Sequence, residues 1–297
     1  MTSILVTGAT GQIGQELRLL AARFPDFYFH FTEKNELNIT DKTLIDRLFE
    51  LKRPDFCINC AAYTAVDKAE SEPALAHAIN VAGVSHLAAA CARAGATLIH
   101  FSSDYVYHNA QNTPLRETDI TAPQSVYART KLAGEQAALD LCPATMIIRT
   151  SWVYSGFGHN FVKTMLRLGQ ERPALRVVYD QIGAPTYARD LAQALLDIIE
   201  RATDDDATRA RLSGIYNYSH EGVTSWYDFA MAIFEMTQLP CRVHPIETNE
   251  YPTPAARPPY SVLHKGKIKD AFGLEIPHWR TGLQHCLQQM DYYPLPR

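Results

Sequence analysis

Cysteine is scarce and scattered: the six in 297 residues stand at irregular spacing and make no disulfide framework. The one close pair lies in Asp55-Phe-Cys-Ile-Asn-Cys-Ala-Ala62, a run that reads as a buried strand. Residues three apart in a strand point to opposite faces, so Cys57 and Cys60 do not chelate one metal. A second such pair is missing, and the eleven histidines include no H-E-x-x-H or comparable cluster, so no metal site is expected. Charge of one sign is also lacking, and a net charge of -4 gives no electrostatic reason to expect nucleic acid. No apolar run approaches the roughly 20 residues of a bilayer span, and the N-terminus has neither a basic start nor a cleavage pattern. These absences predict a cytoplasmic protein without membrane or nucleic-acid partners. The 46% hydrophobic and 20% charged content is that of an ordinary globular chain, long enough for a large core.

What is present is alternation. Short apolar runs alternate with amphipathic stretches through the first half, the pattern of an α/β fold with a doubly wound parallel sheet. Strands are expected at 3–6, 27–31, 56–60, 97–101 and 145–149. Helices are expected at about 12–23, after Thr40-Asp41, at 74–93 and at 128–141. Ser71 reads as an N-cap before Pro73, and Gly95 as a stop. Residues 1–150 therefore read as a nucleotide-binding Rossmann domain. Residues 151–297 form mainly a smaller substrate-binding region, interleaved with the first, which also receives segments from about 176–220. Within the second half, Arg176-Val-Val178 and Ile215-Tyr-Asn-Tyr218 read as strands, Arg189 to Arg201 as a helix and Asp204-Asp-Asp206 as a solvated turn. The proline-rich Tyr251-Pro-Thr-Pro-Ala-Ala-Arg-Pro-Pro259 resists regular structure, and suits either a loop closing on a ligand or a plain surface connection.

Two motifs carry chemistry. Thr7-Gly-Ala-Thr-Gly-Gln-Ile-Gly14 follows a strand and opens a helix. There Gly8 permits a tight turn, Gly11 a close backbone approach to a pyrophosphate, and Gly14 helix-to-strand packing, while the helix start offers free amides. Past the second strand, Glu33 would suit NAD and Lys34 NADP, so NADPH and NADH both remain open. Downstream, Tyr127 and Lys131 stand four apart and share a helix face, where an ammonium would favour the phenolate and make the tyrosine a better proton relay. Alone this pair is a common coincidence. Ser103, in the run Phe101-Ser-Ser-Asp-Tyr-Val-Tyr107 leaving the fourth strand, adds a hydroxyl at the sheet edge where ligands bind.

The G-x-x-G-x-x-G spacing, followed in order by Ser103, Tyr127 and Lys131, resembles the extended short-chain dehydrogenase/reductase superfamily. Five further stretches are similar to the dTDP-4-dehydrorhamnose reductase family: Ala61-Ala-Tyr-Thr-Ala-Val-Asp-Lys-Ala-Glu70, Ser102-Ser-Asp-Tyr-Val-Tyr107, Arg149-Thr-Ser-Trp-Val-Tyr154, Asp180-Gln-Ile-Gly-Ala-Pro-Thr186 and Tyr251-Pro-Thr-Pro-Ala-Ala-Arg-Pro258. The resemblance runs nearly end to end. It implies reduction of the 4-keto group of dTDP-4-dehydro-L-rhamnose by NAD(P)H, with Ser103, Tyr127 and Lys131 catalytic. It also implies cofactor contacts from Gly8, Gly11, Gln12, Ile13, Gly14, Asn38, Ile39, Ala61, Ala62, Tyr63 and Thr64, and contacts to a dTDP-sugar from Ser103, Asp104, Trp152 and Arg257.

Trp152 offers a flat apolar face and Arg257 a planar fork for a diphosphate, although a tryptophan after a core strand and a loop arginine also occur without any ligand. Departures from the family pattern are Asn38 for a common aspartate and Ser103 for a common threonine. Some members bind Mg2+ through carboxylates at a homodimer contact. Glu16 matches one of these, but Arg189 stands where another would be, so the metal is not carried over. Two alternatives are a sugar-nucleotide epimerase or dehydratase of the same superfamily, and a regulatory subunit like the methionine adenosyltransferase partner. Tyr105 after Asp104, where dehydratases need a second carboxylate, weighs against dehydration.

Overall fold

The computed structural model describes residues 1–108 and 110–292. Six parallel strands form the central sheet: β1 (Thr2–Thr7), β2 (Phe27–Phe31), β3 (Phe56–Asn59), β4 (Thr97–Ser103), β5 (Thr145–Thr150) and β6 (Gly214–Tyr218). Their order is β6-β5-β4-β3-β1-β2, and every pairing is parallel. The chain thus reverses direction of travel between β1 and β3. Crevices beyond the carboxyl ends of strands at such a reversal are where doubly wound sheets take their ligands.

Strict alternation along the strands fills both faces. Ile4, Val6, Phe56, Ile58, Ile99 and Phe101 point into one core, and Leu5, Cys57, Leu98 and Ile147 into the other. Cys57 joins the second core while Cys60 packs against the first, as a spacing of three requires. Burial raises the Cys60 thiol well above its ordinary range, which keeps it protonated.

The crossover helices are α1 (Gln12–Leu20), α2 (Lys42–Lys52), α3 (Val84–Ala94), α4 (Val126–Leu141) and α5 (Ala188–Asp204). α1 and α5 pack together on one face; α2, α3 and α4 cover the other. Two side-chain caps start these helices: Asp41 accepts from Leu44 N at 3.1 Å, and Ser125, which the sequence reading did not mark, accepts from Ala128 N at 3.1 Å. Ser71 does not cap. Glu72 holds that place without a side-chain bond, and the Ser71 hydroxyl donates to the Lys68 carbonyl at 3.0 Å instead. The helix beginning at Pro73 runs through a π-helical stretch, Ala78–Gly83, before α3.

Contrary to the sequence expectation, the 22 residues Pro73–Ala94 are by length and composition apolar enough to cross a bilayer. Alanine accounts for this: small residues let the helix lie close to its neighbours, and Leu87, Ala88, Ala90 and Cys91 are buried against the sheet. Asp204-Asp-Asp206 is likewise no simple turn. Asp204 ends α5, and Asp205 caps the helix Asp206–Arg211 by accepting from Ala207 N and Thr208 N.

A third core gathers Val162, Met165 and Leu166 from the helix Phe161–Glu171, Phe229 and Ile233 from α6 (Trp226–Thr237), and Leu283 and Leu287 from the helix Trp279–Gln289. Beside it, Ala174–Val178 pairs in parallel with Arg242–Ile246 as a separate two-stranded sheet, so Arg176-Val-Val178 lies outside the large one. α5 and β6 belong with the large sheet.

Candidate active site

The glycine-rich turn is held by backbone geometry. Gly8 adopts φ +62°, and a Cβ there would stand 2.6 Å from Ala61 N. At Gly14 a Cβ would stand 2.6 Å from Ala9 Cα, so α1 packs on this turn only without a side chain. Gly11 N donates to Gly8 O at 2.9 Å and begins α1 without any side-chain cap, which leaves amides free at the positive end of the helix. An adjoining cavity of about 450 Å³ is lined by Gly8, Gly11, Asn38, Ile39, Ala61, Ala62, Tyr63 and Thr64. Gln12 and Ile13 lie in the first turn of α1, and Gln12 reaches across to Asn160 at 2.9 Å. Lys34 lines the cavity as well, while the half-buried Glu33 looks toward Arg18 at 3.9 Å. An uncapped helix start above a glycine cradle fits the diphosphate of a dinucleotide.

Ser103 ends β4, and Tyr127 and Lys131 lie one turn apart on α4; all three are buried. Tyr127 shares a buried cluster with Tyr63, a wall residue of the glycine-lined cavity, and meets the ring of Tyr105 edge-on with centroids 5.7 Å apart. Burial pushes the Tyr127 phenol up to about 12, eased by the Ser103 hydroxyl and reinforced by Asp104. Lys131 does not lower it as the spacing predicts, because its Nζ donates to the Phe101 carbonyl at 2.6 Å. Burial brings Lys131 itself down to about 8, with Glu135 acting in the other direction. Glu135 is engaged by Arg149 at 2.6 Å in a pair that is almost wholly buried.

Asp104 follows Ser103 and is 2% exposed. Its Oδ1 accepts from the Ser103 hydroxyl at 2.9 Å, while Oδ2 is buried without a hydrogen-bond partner. The Ser261 hydroxyl is close by but turns to the Ile182 carbonyl at 3.4 Å. Burial consequently drives the Asp104 carboxyl up to about 6.

Beyond these groups lies a cleft of about 940 Å³, whose wall includes Asp67, Tyr105, Phe161, Trp226, Tyr251 and Arg257. The proline-rich segment is therefore part of a cavity wall and no mere surface connection. Arg257 pairs with Asp67 at 2.7 Å, and Asp67 also accepts from Ala255 N at 3.2 Å, which ties the segment to the cofactor half. Trp152 does not line the cleft directly. It stacks on Trp226 with centroids 3.6 Å apart and planes within 9°, and it holds φ +48°, a left-handed backbone that a bulky residue keeps only when its surroundings enforce it.

A family model described as RmlD substrate binding domain matches residues 1–292. A dTDP-4-dehydrorhamnose reductase of Aggregatibacter actinomycetemcomitans is 40% identical over 292 residues, covering 96% of this chain and 98% of that protein. The chain belongs to the dTDP-4-dehydrorhamnose reductase family. Among solved structures, a member from Clostridium acetobutylicum aligns with TM-score 0.91 and 38% identity over 98% of this chain and all of that one. A member from Bacillus anthracis, solved in complex with NADP, aligns with TM-score 0.91 and 36% identity over 97% of this chain and all of that one.

The metal contact of some family members does not fit here. Arg189 Nε donates to Glu16 Oε2 at 2.8 Å, so a fixed cation already faces the one matching carboxylate. Among the described residues no group of three or more His, Cys, Asp or Glu is placed to hold a metal ion. Sequence reasoning passed over Trp226, Asp67 and His100. Trp226 looks like any aromatic in the first turn of an amphipathic helix, and Asp67 gains meaning only from a partner 190 residues away. A signal for His100 exists, since a histidine inside an otherwise apolar strand has to find buried partners.

Proposed function

We propose that this chain reduces the 4-keto group of dTDP-4-dehydro-L-rhamnose to give dTDP-L-rhamnose, with NADPH as the reductant. One observation carries the reading: Tyr127 lies between the two cavities, in one buried cluster with Tyr63 of the glycine-lined cavity and edge-on to Tyr105 of the cleft. When bound, the nicotinamide supplies hydride to the carbonyl carbon. The chain handles the oxygen. Ser103 turns its hydroxyl from Asp104 to the carbonyl, and Tyr127 donates the second hydrogen bond and then its proton as the alkoxide develops. A phenol held near 12 stays protonated at neutral pH, as a proton donor must. Lys131 in its ammonium form would hold the nicotinamide ribose hydroxyls.

On the same reading, the free amides of the Gly11 turn take the dinucleotide phosphates, and Asn38 and Ile39 flank the adenosine. Lys34 on the cavity wall supports NADPH over NADH. Arg257 meets the sugar-nucleotide diphosphate, and the Trp152–Trp226 stack offers the sugar an apolar wall. The six-stranded half then serves the cofactor, and the part built on the Phe229 core serves the substrate. All six cysteines are free thiols, which suits a reducing cytoplasm.

The test is an absorbance assay with NADPH or NADH and dTDP-4-dehydro-L-rhamnose, with product analysis. Tyr127→Phe is expected to lose about 10²- to 10⁴-fold in kcat. Turnover no higher than that control rules the reading out, and a copurifying cofactor that cycles without net consumption points to epimerisation.

A further inference from the structure

The polar groups buried behind Lys131 determine which proton faces it. Asn59, at the end of β3, presents Oδ1 to two donors, the Thr7 hydroxyl at 2.7 Å and the Ala61 backbone N–H at 3.1 Å. The second of these is a fixed donor, so the carboxamide has one orientation, and its NH2 group meets His100 Nδ1 at 3.0 Å. A neutral imidazole that accepts at Nδ1 carries its single proton on Nε2. That atom lies 3.5 Å from Lys131 Nζ, which the Phe101 carbonyl holds from the other side at 2.6 Å. The ring is neutral: burial first, and Lys131 second, keep its titration well below the ordinary histidine range.

We propose that His100 is a positioning residue for the reductive step: locked by Asn59 with its N–H toward Lys131, it opposes the ammonium and sets the pH at which that side chain loses its charge. The proposal rests on the part given above to Lys131. With Lys131 charged, two N–H donors confront each other; with Lys131 neutral, its lone pair accepts from Nε2–H. The remaining groups around the amine are accounted for. Tyr127 lies one turn before it and Glu135 one turn after it on α4, and Glu135 is committed to Arg149 of β5. Asp104 stands past the end of β4 and pairs with Ser103. Burial alone brings Lys131 down to about 8 despite Glu135, so the case for His100 stands on the hydrogen-bond geometry.

The experiment joins ¹⁵N NMR of histidine-labelled protein to the pH dependence of kcat for the NADPH-dependent reduction. In the unaltered enzyme His100 is expected as the neutral Nε2–H tautomer. In His100→Leu the opposing N–H is gone, and the alkaline limb of kcat moves up by about one pH unit. Asn59→Asp replaces the donor facing Nδ1 by an acceptor, so the ring turns to the Nδ1–H tautomer and the limb again moves up. The two variants reach one result by different routes, only one of which adds charge. If the leucine variant does not fold, the tautomer measurement and Asn59→Asp decide. An Nδ1–H ring in an active unaltered enzyme, or an alkaline limb unmoved by the substitutions, overturns the assignment. Absence of turnover in the unaltered chain overturns the reductase reading first, and the NMR result tells that failure from a wrong tautomer.

Discussion

Replacing Asp104 by asparagine should make the protein more stable at neutral pH and not at acid pH. The carboxyl is 2% exposed, one of its oxygens has no partner, and burial raises it from its ordinary 3.8 to about 6. Because the folded value lies above the unfolded one, the associated stability is complete below about pH 4 and is lost as pH rises through about 6. At about 1.4 kcal/mol per pH unit, the loss is about 3 kcal/mol. Asparagine is nearly isosteric and does not titrate, so it escapes that loss. Urea unfolding of both proteins at about pH 4 and about pH 7.5 gives two differences, and the change between them cancels every other titrating group. Part of the loss has already occurred at pH 4, so the asparagine advantage should grow by about 2 kcal/mol from the lower pH to the higher. Parallel stability profiles would refute the argument, since they would mean the carboxylate is solvated or paired in the fold.

Other outcomes follow from single contacts. Gly14→Ala sets a methyl 2.6 Å from the Ala9 backbone, which cannot give way cheaply. It should cost about 1–3 kcal/mol in denaturant unfolding and weaken NADPH binding in a fluorescence titration. Glu135→Gln leaves the Arg149 charge buried without its partner, and about 3–5 kcal/mol of unfolding free energy should disappear; a loss under 1 kcal/mol would show that Tyr107 and water compensate. Arg257→Lys keeps the charge but loses the planar fork. Steady-state kinetics should show KM for the sugar nucleotide rising by about tenfold with kcat nearly unchanged.

The sheet was legible because its strands are buried on both faces and its helices announce themselves with Asp41 and Gly95. The glycine turn was legible for the same local reason. Ser71 misled because serine before Pro73 is a good cap in isolation, while the preceding short helix, Val66–Ala69, draws its hydroxyl back to Lys68. The alanine-rich helix 73–94 misled in the other direction: its apolar character comes largely from alanine, which serves a packed face and a partly exposed one alike. In the site, positions followed from motif order, but electrostatics did not. The sequence predicts an ammonium easing a phenol; the fold turns Lys131 to a carbonyl and a histidine and lets burial dominate both groups. Asp67 with Arg257, and Trp152 with Trp226, are pairs that only the folded chain assembles.

The strand order has a consequence for synthesis. β5 pairs with β4 on one side as soon as residue 150 has emerged, but its other edge waits for Gly214–Tyr218. Throughout that interval a nascent chain carries an open apolar strand edge, the geometry most prone to pair with the wrong partner. The helix Phe161–Glu171 and the strand Ala174–Val178 emerge during the same interval, yet the latter's own partner, Arg242–Ile246, comes later still. The large sheet therefore closes before the cleft wall can, and a ribosome stalled between these two points would present a cofactor site with no place for the sugar.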